Sequence, residues 1–154
     1  MTVADTSRMT RSRKALANQA WESALTAHSV LMRRFAAEDV WHGLSMREYD
    51  VLYTLSKCDS PQRLSDLGRH VLLSQPALSR LVERLVERNL LSRCADPGDA
   101  RATHISLTTA GRALQREIGL THGDAVARTM TAALTDEELR LLETLTTKLA
   151  KEAS

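Results

Sequence analysis

The chain has 154 residues, a length that suits one domain or one compact two-lobed unit with a buried core. Hydrophobic residues make up 43% of it and charged residues 26%, which argues against a disordered chain and against a membrane protein. The net charge of +2 permits nucleic-acid binding but does not indicate it.

The first predicted element is a long helix over about residues 15–37. Its apolar seam recurs at alternating spacings of four and three residues and consists of Trp21, Leu25, His28, Met32 and Phe35. The residues before it, up to about Arg13, are polar and basic, and we interpret them as a solvated end rather than an arm on DNA phosphates. They contain no apolar secretory signal, so a cytoplasmic protein is expected.

Two shorter helices are expected next. Ser45 and Glu48 form the pattern S-x-x-E of a capping box, which predicts that a helix begins there. After a loop, residues 62–64 can form a short strand that pairs with a later hairpin. Ser65 is the expected N-cap of a third helix, which runs to about Val71.

The fourth predicted helix opens at Ser74 and is amphipathic. Its buried stripe, at positions i, i+3, i+4 and i+7, is expected to be Leu78, Leu81, Val82 and Leu85. Ser74 is placed to cap the helix through its hydroxyl, and Pro76 is tolerated because amides in the first turn have no helical partner. Asn89 is placed to end the helix in the left-handed conformation. The helix should therefore have an apolar back and a polar front.

Two strands of alternating character follow, joined by the turn Asp96-Pro97-Gly98-Asp99. A helix-turn-helix followed by a two-stranded wing is a DNA-binding unit. Its second helix enters the major groove and its wing extends along the backbone. The stretch from Ser65 to Thr108 therefore predicts a winged helix that binds double-stranded DNA.

Helices with apolar seams are also expected after the wing. Thr108 can cap a long helix, and residues 135–138 form a second capping box. The seam of the last helix consists of Leu139, Leu142, Leu145 and Leu149. Neither the first helix nor the last two can cover their seams on a module this small, so they are expected to pack together and against a second copy. The alternative is a monomer in which the three helices pack intramolecularly.

Two stretches of the sequence resemble the MarR family of bacterial transcription regulators. The stretch SQPALSRLVERLVERNLLSR is similar to the family's recognition helix and first wing strand, and DARATHISLT carries the wing signature D-x-R…LT. The resemblance extends over nearly the whole chain and implies a mainly α fold with a small β wing. It implies a winged-helix lobe over about residues 45–108, flanked by dimerisation helices over about 15–37 and 109–151. It also implies an obligate homodimer.

The polar front of the fourth helix supplies the candidate base contacts. Arg80 can form two hydrogen bonds with guanine, Gln75 can do the same with adenine, and Ser74 and Ser79 are expected at phosphates. Arg84 is either a DNA contact or part of a solvated face beside its glutamate neighbours. The full candidate DNA-binding set is Ser74, Gln75, Pro76, Ser79, Arg80, Arg84, Arg93, Asp99 and Arg101.

The wing supplies a second set of contacts. The resemblance implies that Arg101 enters the minor groove, where narrow A·T-rich tracts concentrate negative potential. Asp99 is expected to anchor the wing tip by accepting hydrogen bonds from backbone amides or from Arg93. In a two-fold dimer the DNA site is then expected to be an imperfect palindrome with half-sites roughly 34 Å apart.

The resemblance also implies a small phenolic or aromatic-acid effector, held between the dimer helices and the winged lobe. Candidate lining residues, all of types also common in protein cores, are Trp21, His28, Trp41 and Tyr49. An alternative is thiol sensing through Cys58 or Cys94. No cofactor or metal is expected, since no two histidines have the i, i+4 spacing of ligands on one helix.

The leading hypothesis is a homodimeric repressor that such an effector releases from its operator. An enzyme is not indicated, because the sequence has no glycine-rich phosphate loop, no G-x-S-x-G and no H-E-x-x-H. A further alternative is a winged helix that is used only for protein contacts.

Overall fold

The computed structural model describes residues 3–71, 73–96 and 99–152. Within them the elements are α1 (Val3–Ala36), α2 (Met46–Ser56), β1 (Gln62–Arg63), α3 (Leu64–His70), α4 (Gln75–Glu87), β2 (Leu91–Asp96), β3 (Asp99–Leu107), α5 (Thr109–Ala133) and α6 (Asp136–Glu152). The chain divides into two compact units, Met1–Glu38 and Asp39–Ser154. None of the described helices is both long enough and apolar enough to cross a membrane. The predicted fold class, mainly α with a small β wing, is confirmed.

The first helix is longer than its apolar seam predicts. α1 begins at Val3 rather than near Ala15, and the polar residues that we expected as a frayed end continue it. Neither glycine nor proline interrupts residues 3–36, and alanine and arginine in this stretch favour the helix. The apolar side chains that α1 leaves exposed include Leu16, Trp21, Leu25 and Val30.

The starts of α2 and α3 differ in how they are capped. The capping box predicted for α2 is present, since the Glu48 amide donates to the Ser45 hydroxyl and the Ser45 amide donates to the Glu48 carboxylate. The prediction that Ser65 caps α3 is wrong, because the N-cap is Arg63 and makes no side-chain cap bond. Arg63 pairs with β3 as the last residue of β1, so the chain passes from strand to helix without the intervening turn that a serine cap needs.

The fourth helix, α4, is the amphipathic helix that the sequence predicts. Its predicted stripe of Leu78, Leu81, Val82 and Leu85 is buried. Asn89 follows α4 with a φ of +57°. The amides of Asn89 and Leu90 donate to the carbonyls of Val86 and Leu85, at 2.9 Å in each case. These two bonds form a Schellman motif, so the predicted left-handed end at Asn89 is confirmed.

The wing is an antiparallel hairpin with a third short strand beside it. The strand order is β1-β3-β2, so β3 lies in the middle. Gln62 pairs with Ile105 on one side of β3, and Leu91 pairs with Leu107 on the other. The short strand predicted before α3 is therefore confirmed. The register of β2 and β3 shifts near the tip, and the turn residues 97–98 lie outside the described residues.

The start of α5 is closely packed against the junction of α4 and β2. Thr108 caps α5 as predicted, since its hydroxyl accepts the Gly111 amide at 2.9 Å. The Thr108 amide donates to the Leu90 carbonyl at 3.1 Å. A Cβ atom on Gly111 would overlap that same carbonyl oxygen. The end of the wing and the start of α5 therefore meet at one point of main chain, where only glycine fits.

The core lies between α2, α3, α4, α5 and the sheet, and α6 lies outside it. The most deeply buried core residues are Val51, Leu52, Leu67, Leu78, Val82, Leu85, Leu91, Ile105 and Ile118. α6 begins with the predicted capping box, in which the Glu138 carboxylate accepts the Thr135 amide at 2.8 Å. None of its residues is buried. It exposes Leu141, Leu142, Leu145 and Leu149.

Candidate DNA-binding surface

The N-terminal half of α4 presents a polar front to solvent. Gln75, Pro76 and Arg80 are exposed and Ser79 is half-buried, while the apolar stripe on the opposite side of the helix is buried. The front lies at the positive end of the helix dipole, where backbone amides have no helical partner. The structure thus places these four predicted residues together, on a surface suited to phosphates and base edges.

Ser74 occupies the N-cap position but does not cap the helix as predicted. Its backbone is extended, with φ −67° and ψ 150°, yet its hydroxyl makes no cap hydrogen bond. A capping hydroxyl accepts from the second or third amide of a helix, and Pro76 at the second position has no amide hydrogen. The Ser74 side chain is exposed, which suits the phosphate contact predicted for it.

A groove of about 220 Å³ separates the first turn of α2 from α4. Arg47 lines it together with Arg80 and Arg84. Arg47 and Arg80 raise the positive potential beside the candidate base contacts, whereas Arg84 is paired with a carboxylate. Arg47 was not predicted, because it lies on a different helix and no local pattern links it to α4.

Arg84 forms its ion pair with a residue of α2, not with its glutamate neighbours on α4. Its Nε lies 3.2 Å from Oε1 of Glu48, on α2. Its Nη1 donates to the Arg80 carbonyl at 3.4 Å. Four residues later, Nη1 of Arg88 donates to the Gly43 carbonyl at 2.9 Å. Two arginines one turn apart thus connect α4 to the segment that starts α2.

The partner of Arg84, Glu48, is the buried charged residue of this surface, with 8% of its area exposed. Burial raises the pKa of Glu48, but hydrogen bonds from the amide and hydroxyl of Ser45 and from Arg84 outweigh burial. The pKa is therefore lowered from its ordinary value of 4.5. The carboxylate is charged at neutral pH, and its contribution to stability is lost as the pH falls through the lowered pKa.

The wing residues are only partly described. Nη2 of Arg93 lies 3.8 Å from Oε1 of Glu83, on α4. The backbones of Asp99 and Arg101 belong to β3, in the part of the hairpin where the register shifts. The side chains of Asp99 and Arg101 lie outside the described part, so the anchoring and minor-groove roles predicted for them stay predictions.

Two of the four candidate ligand residues lie in contact. The rings of Trp41 and Tyr49 are 5.5 Å apart between centroids, and both side chains are buried. His122 on α5 joins them, with its ring 4.9 Å from that of Trp41. Burial raises the pKa of Tyr49, against a hydrogen bond from Gln115 that lowers it. His122 was not predicted here, since a contact between α2 and α5 leaves no local signal.

The other two ligand candidates lie on α1, in the separate N-terminal unit. Trp21 and His28 are both exposed there. The four candidates therefore have different surroundings: Trp21 and His28 are exposed, whereas Trp41 and Tyr49 are buried. A packed core accounts for Trp41 and Tyr49 as well as a ligand cleft does.

Both cysteines are free thiols. Cys58 is half-buried, with Sγ 3.4 Å from the Thr54 carbonyl, and Cys94 is exposed on β2 beside His104. In the described part of the chain, no group of three or more histidine, cysteine, aspartate and glutamate side chains is placed to hold a metal ion.

A helix-turn-helix followed by a wing, with the polar front of the second helix exposed, defines a winged helix-turn-helix DNA-binding protein. The model of the MarR family matches residues 42–102. The HTH-type transcriptional regulator MhqR of Bacillus subtilis (strain 168) is 33% identical over 101 residues, which are 65% of this chain and 68% of MhqR.

Solved structures give the same result. AbsC, a MarR family transcriptional regulator from Streptomyces coelicolor, is 26% identical with a TM-score of 0.76, over 88% of this chain and 93% of AbsC. Sco3205, a MarR family transcriptional regulator from the same organism solved in complex with DNA, shares the fold. Its TM-score is 0.77 at 24% identity, over 90% of this chain and 88% of that one. The chain belongs to the MarR family and is a DNA-binding transcription regulator.

Proposed function

We propose that the protein is a homodimeric repressor whose two α4 helices enter successive major grooves of an imperfect palindrome. The observation that carries this proposal is the exposed front of α4, with Gln75, Ser79 and Arg80 on a helix whose back is buried. Arg80 fits guanine and Gln75 fits adenine. Two such helices related by a two-fold axis serve half-sites roughly 34 Å apart. Sco3205, which shares this fold, was solved in complex with DNA.

Specific binding is tested by sequencing the genomic fragments that co-purify with the protein and titrating the recovered palindrome by fluorescence anisotropy. We expect tighter binding than to a scrambled duplex, with affinity falling about a thousandfold between about 50 and 200 mM salt because added salt makes the release of counterions from DNA less favourable. Equal affinity for both duplexes would show that binding is not specific for sequence and would overturn the proposal.

The homodimer is supported by the uncovered apolar face of α6. Leu141, Leu142, Leu145 and Leu149 are between 40% and 69% exposed, although they recur at helical spacing along one side. Burying each leucine contributes about 1.5–3 kcal/mol. No residue of α6 is buried within its own chain. A two-fold interface would cover this apolar face with a second copy of the protein.

Replacing both Leu142 and Leu145 with glutamate is expected to weaken the dimer at least about a hundredfold, because two buried leucines become charges. Operator affinity should fall with it, and light scattering after gel filtration measures the mass. Thr144→Glu with Thr147→Glu is the matched control, since it adds the same charges to the opposite side of α6. If the variant with both leucines replaced still had the mass of the wild-type dimer, α6 would be excluded from the interface.

We propose that the effector is a small aromatic or phenolic molecule. Of the four candidate residues, Trp41 and Tyr49 are the ones that we propose line its site, because their rings lie close together and beside that of His122. The effector must bind the DNA-free arrangement of the dimer more tightly, because only differential affinity shifts an equilibrium. The chain has two tryptophans, so fluorescence of Trp21→Phe reports on Trp41 alone when aromatic acids are added. Unchanged fluorescence across a panel that releases DNA would exclude this cluster.

Thiol sensing is the second candidate mechanism, and the exposure of Cys94 on the wing favours it. Oxidation of an exposed thiol adds a polar group to a strand of the winged-helix lobe. Release of DNA by hydrogen peroxide should then be abolished by Cys94→Ser. Equal release from the wild-type protein and from variants of Cys58 and Cys94 would exclude this mechanism.

A further inference from the structure

Glu48 connects the first turn of α2 to the third turn of α4 through both carboxylate oxygens. Oε2 accepts the Ser45 amide at 2.8 Å and the Ser45 hydroxyl at 2.9 Å. Oε1 accepts Nε of Arg84 at 3.2 Å. One group thus caps its own helix and binds another helix, and 10% of its side chain is exposed.

A buried carboxylate of this kind is demanding about geometry. Removing a charged group from water is costly unless it is paired, so a rotation of α4 that moved Arg84 away would leave the Glu48 carboxylate, 10% exposed, without its cation. The Arg84 guanidinium also donates to the Arg80 carbonyl, one turn earlier on α4. The bridge therefore meets α4 one turn after Arg80, the residue proposed to contact base edges, on the same side of the helix.

We infer that Glu48 is a positioning residue for DNA recognition: through Arg84 it sets the rotation and depth at which α4 presents Arg80. It also pairs the Arg84 guanidinium with a carboxylate on α2, so that this cation is not free to pair with a phosphate. This inference rests on the proposed function, in which α4 enters the major groove. It gives Arg84 a structural role in place of the two alternatives considered from the sequence, a direct DNA contact and a solvated face.

Glu48→Gln isolates the bridge from the cap, because glutamine also completes a capping box while it lacks the charge that pairs with Arg84. We expect operator affinity to fall about tenfold. Affinity for an unrelated duplex should stay the same or rise, and its salt dependence should steepen by about one phosphate contact as the released guanidinium reaches the backbone. Both affinities are measured by anisotropy over a series of salt concentrations.

The matched control is Glu138→Gln, which makes the same change in the second capping box of the chain. The Glu138 carboxylate accepts the amide and hydroxyl of Thr135 on an exposed turn, far along the sequence from α4. Glu138 lies on the side of α6 that carries Leu142 and Leu145, so light scattering after gel filtration checks that this variant is still a dimer. With the dimer kept, both affinities should be unchanged. Circular dichroism and thermal unfolding check that each variant is folded.

Arg84→Gln tests the other end of the bridge and keeps the inference testable if Glu48→Gln does not fold. It should lower the ratio of operator to unrelated-duplex affinity and leave the salt dependence of wild type, whereas loss of a direct phosphate contact would reduce that dependence by about one. The double variant should lower the ratio of operator to unrelated-duplex affinity no further than the more affected single variant does, because all three variants lose the same bridge.

The inference is overturned if Glu48→Gln keeps the wild-type affinity ratio, if the two single effects simply add, or if Arg84→Gln reduces the salt dependence. Its failure is distinct from failure of the proposed function. A wild-type protein without preference for any palindrome would overturn the function itself, while a selective wild type with an equally selective Glu48→Gln variant would overturn only the role of Glu48.

Discussion

Replacing Arg80 with alanine is expected to lower operator affinity about 5- to 150-fold, the equivalent of about 1–3 kcal/mol, and to relax the preference for one base in each half-site. Arg80 is exposed on the front of α4, and its guanidinium can form two hydrogen bonds with guanine. Anisotropy titrations against duplexes that carry each base at every half-site position measure both effects.

Two further arginines separate a base contact from a general electrostatic effect. Arg101→Ala should weaken binding to every duplex and reduce its salt dependence, as loss of a wing contact would. Arg116→Ala, on the exposed side of α5, should change neither affinity nor preference. If Arg80→Ala weakened all duplexes equally, Arg80 would be a phosphate contact and base recognition would belong to other residues of the front.

Replacing Gly111 with alanine is expected to destabilise the fold by about 3 kcal/mol, although alanine normally favours a helix over glycine by about 1 kcal/mol. The added Cβ would overlap the carbonyl oxygen of Leu90, which is main chain and cannot rotate away. The start of α5 would have to move from the end of α4 and from the base of the wing. Urea unfolding followed by circular dichroism measures the change in the free energy of unfolding.

Gly123 provides the matched control on the same helix. A Cβ there meets no atom within 4 Å, so Gly123→Ala should stabilise α5 by up to about 1 kcal/mol. The two substitutions are chemically identical, but their changes in the free energy of unfolding should have opposite signs. A Gly111→Ala protein as stable as the Gly123→Ala protein would show that α5 is not held closely at this junction.

The features that the sequence predicts well are those set by neighbours along the chain. The stripe of α4 follows from helical spacing, and all four of its members are buried. The caps at Ser45 and Thr135 follow from a glutamate three positions later, and the cap at Thr108 follows from its hydroxyl just before a predicted helix. Asn89 ends α4 because it tolerates the left-handed conformation that a Schellman motif requires. Each signal is local, so no knowledge of packing is needed.

The features that could not be predicted depend on residues distant in sequence or on the absence of a signal. Glu48 is recognisable as a capping glutamate, but its bond to Arg84 spans 36 residues. The contact of Trp41 with His122 likewise joins a linker to a distant helix. Ser65 resembles a cap, yet pairing of β1 with β3 decides where α3 begins. The N-terminal extension of α1 carries no apolar seam, only residues compatible with helix.

The uncovered leucines of α6 have a consequence for how gene expression would respond to the amount of this protein. If single chains meet through that face before both α4 helices can engage, operator occupancy at low abundance rises with the square of protomer concentration. A modest change in synthesis or dilution by cell growth would then switch the promoter over a narrow range. Gene-dosage experiments would show a threshold, which a regulator that bound as a single chain would lack.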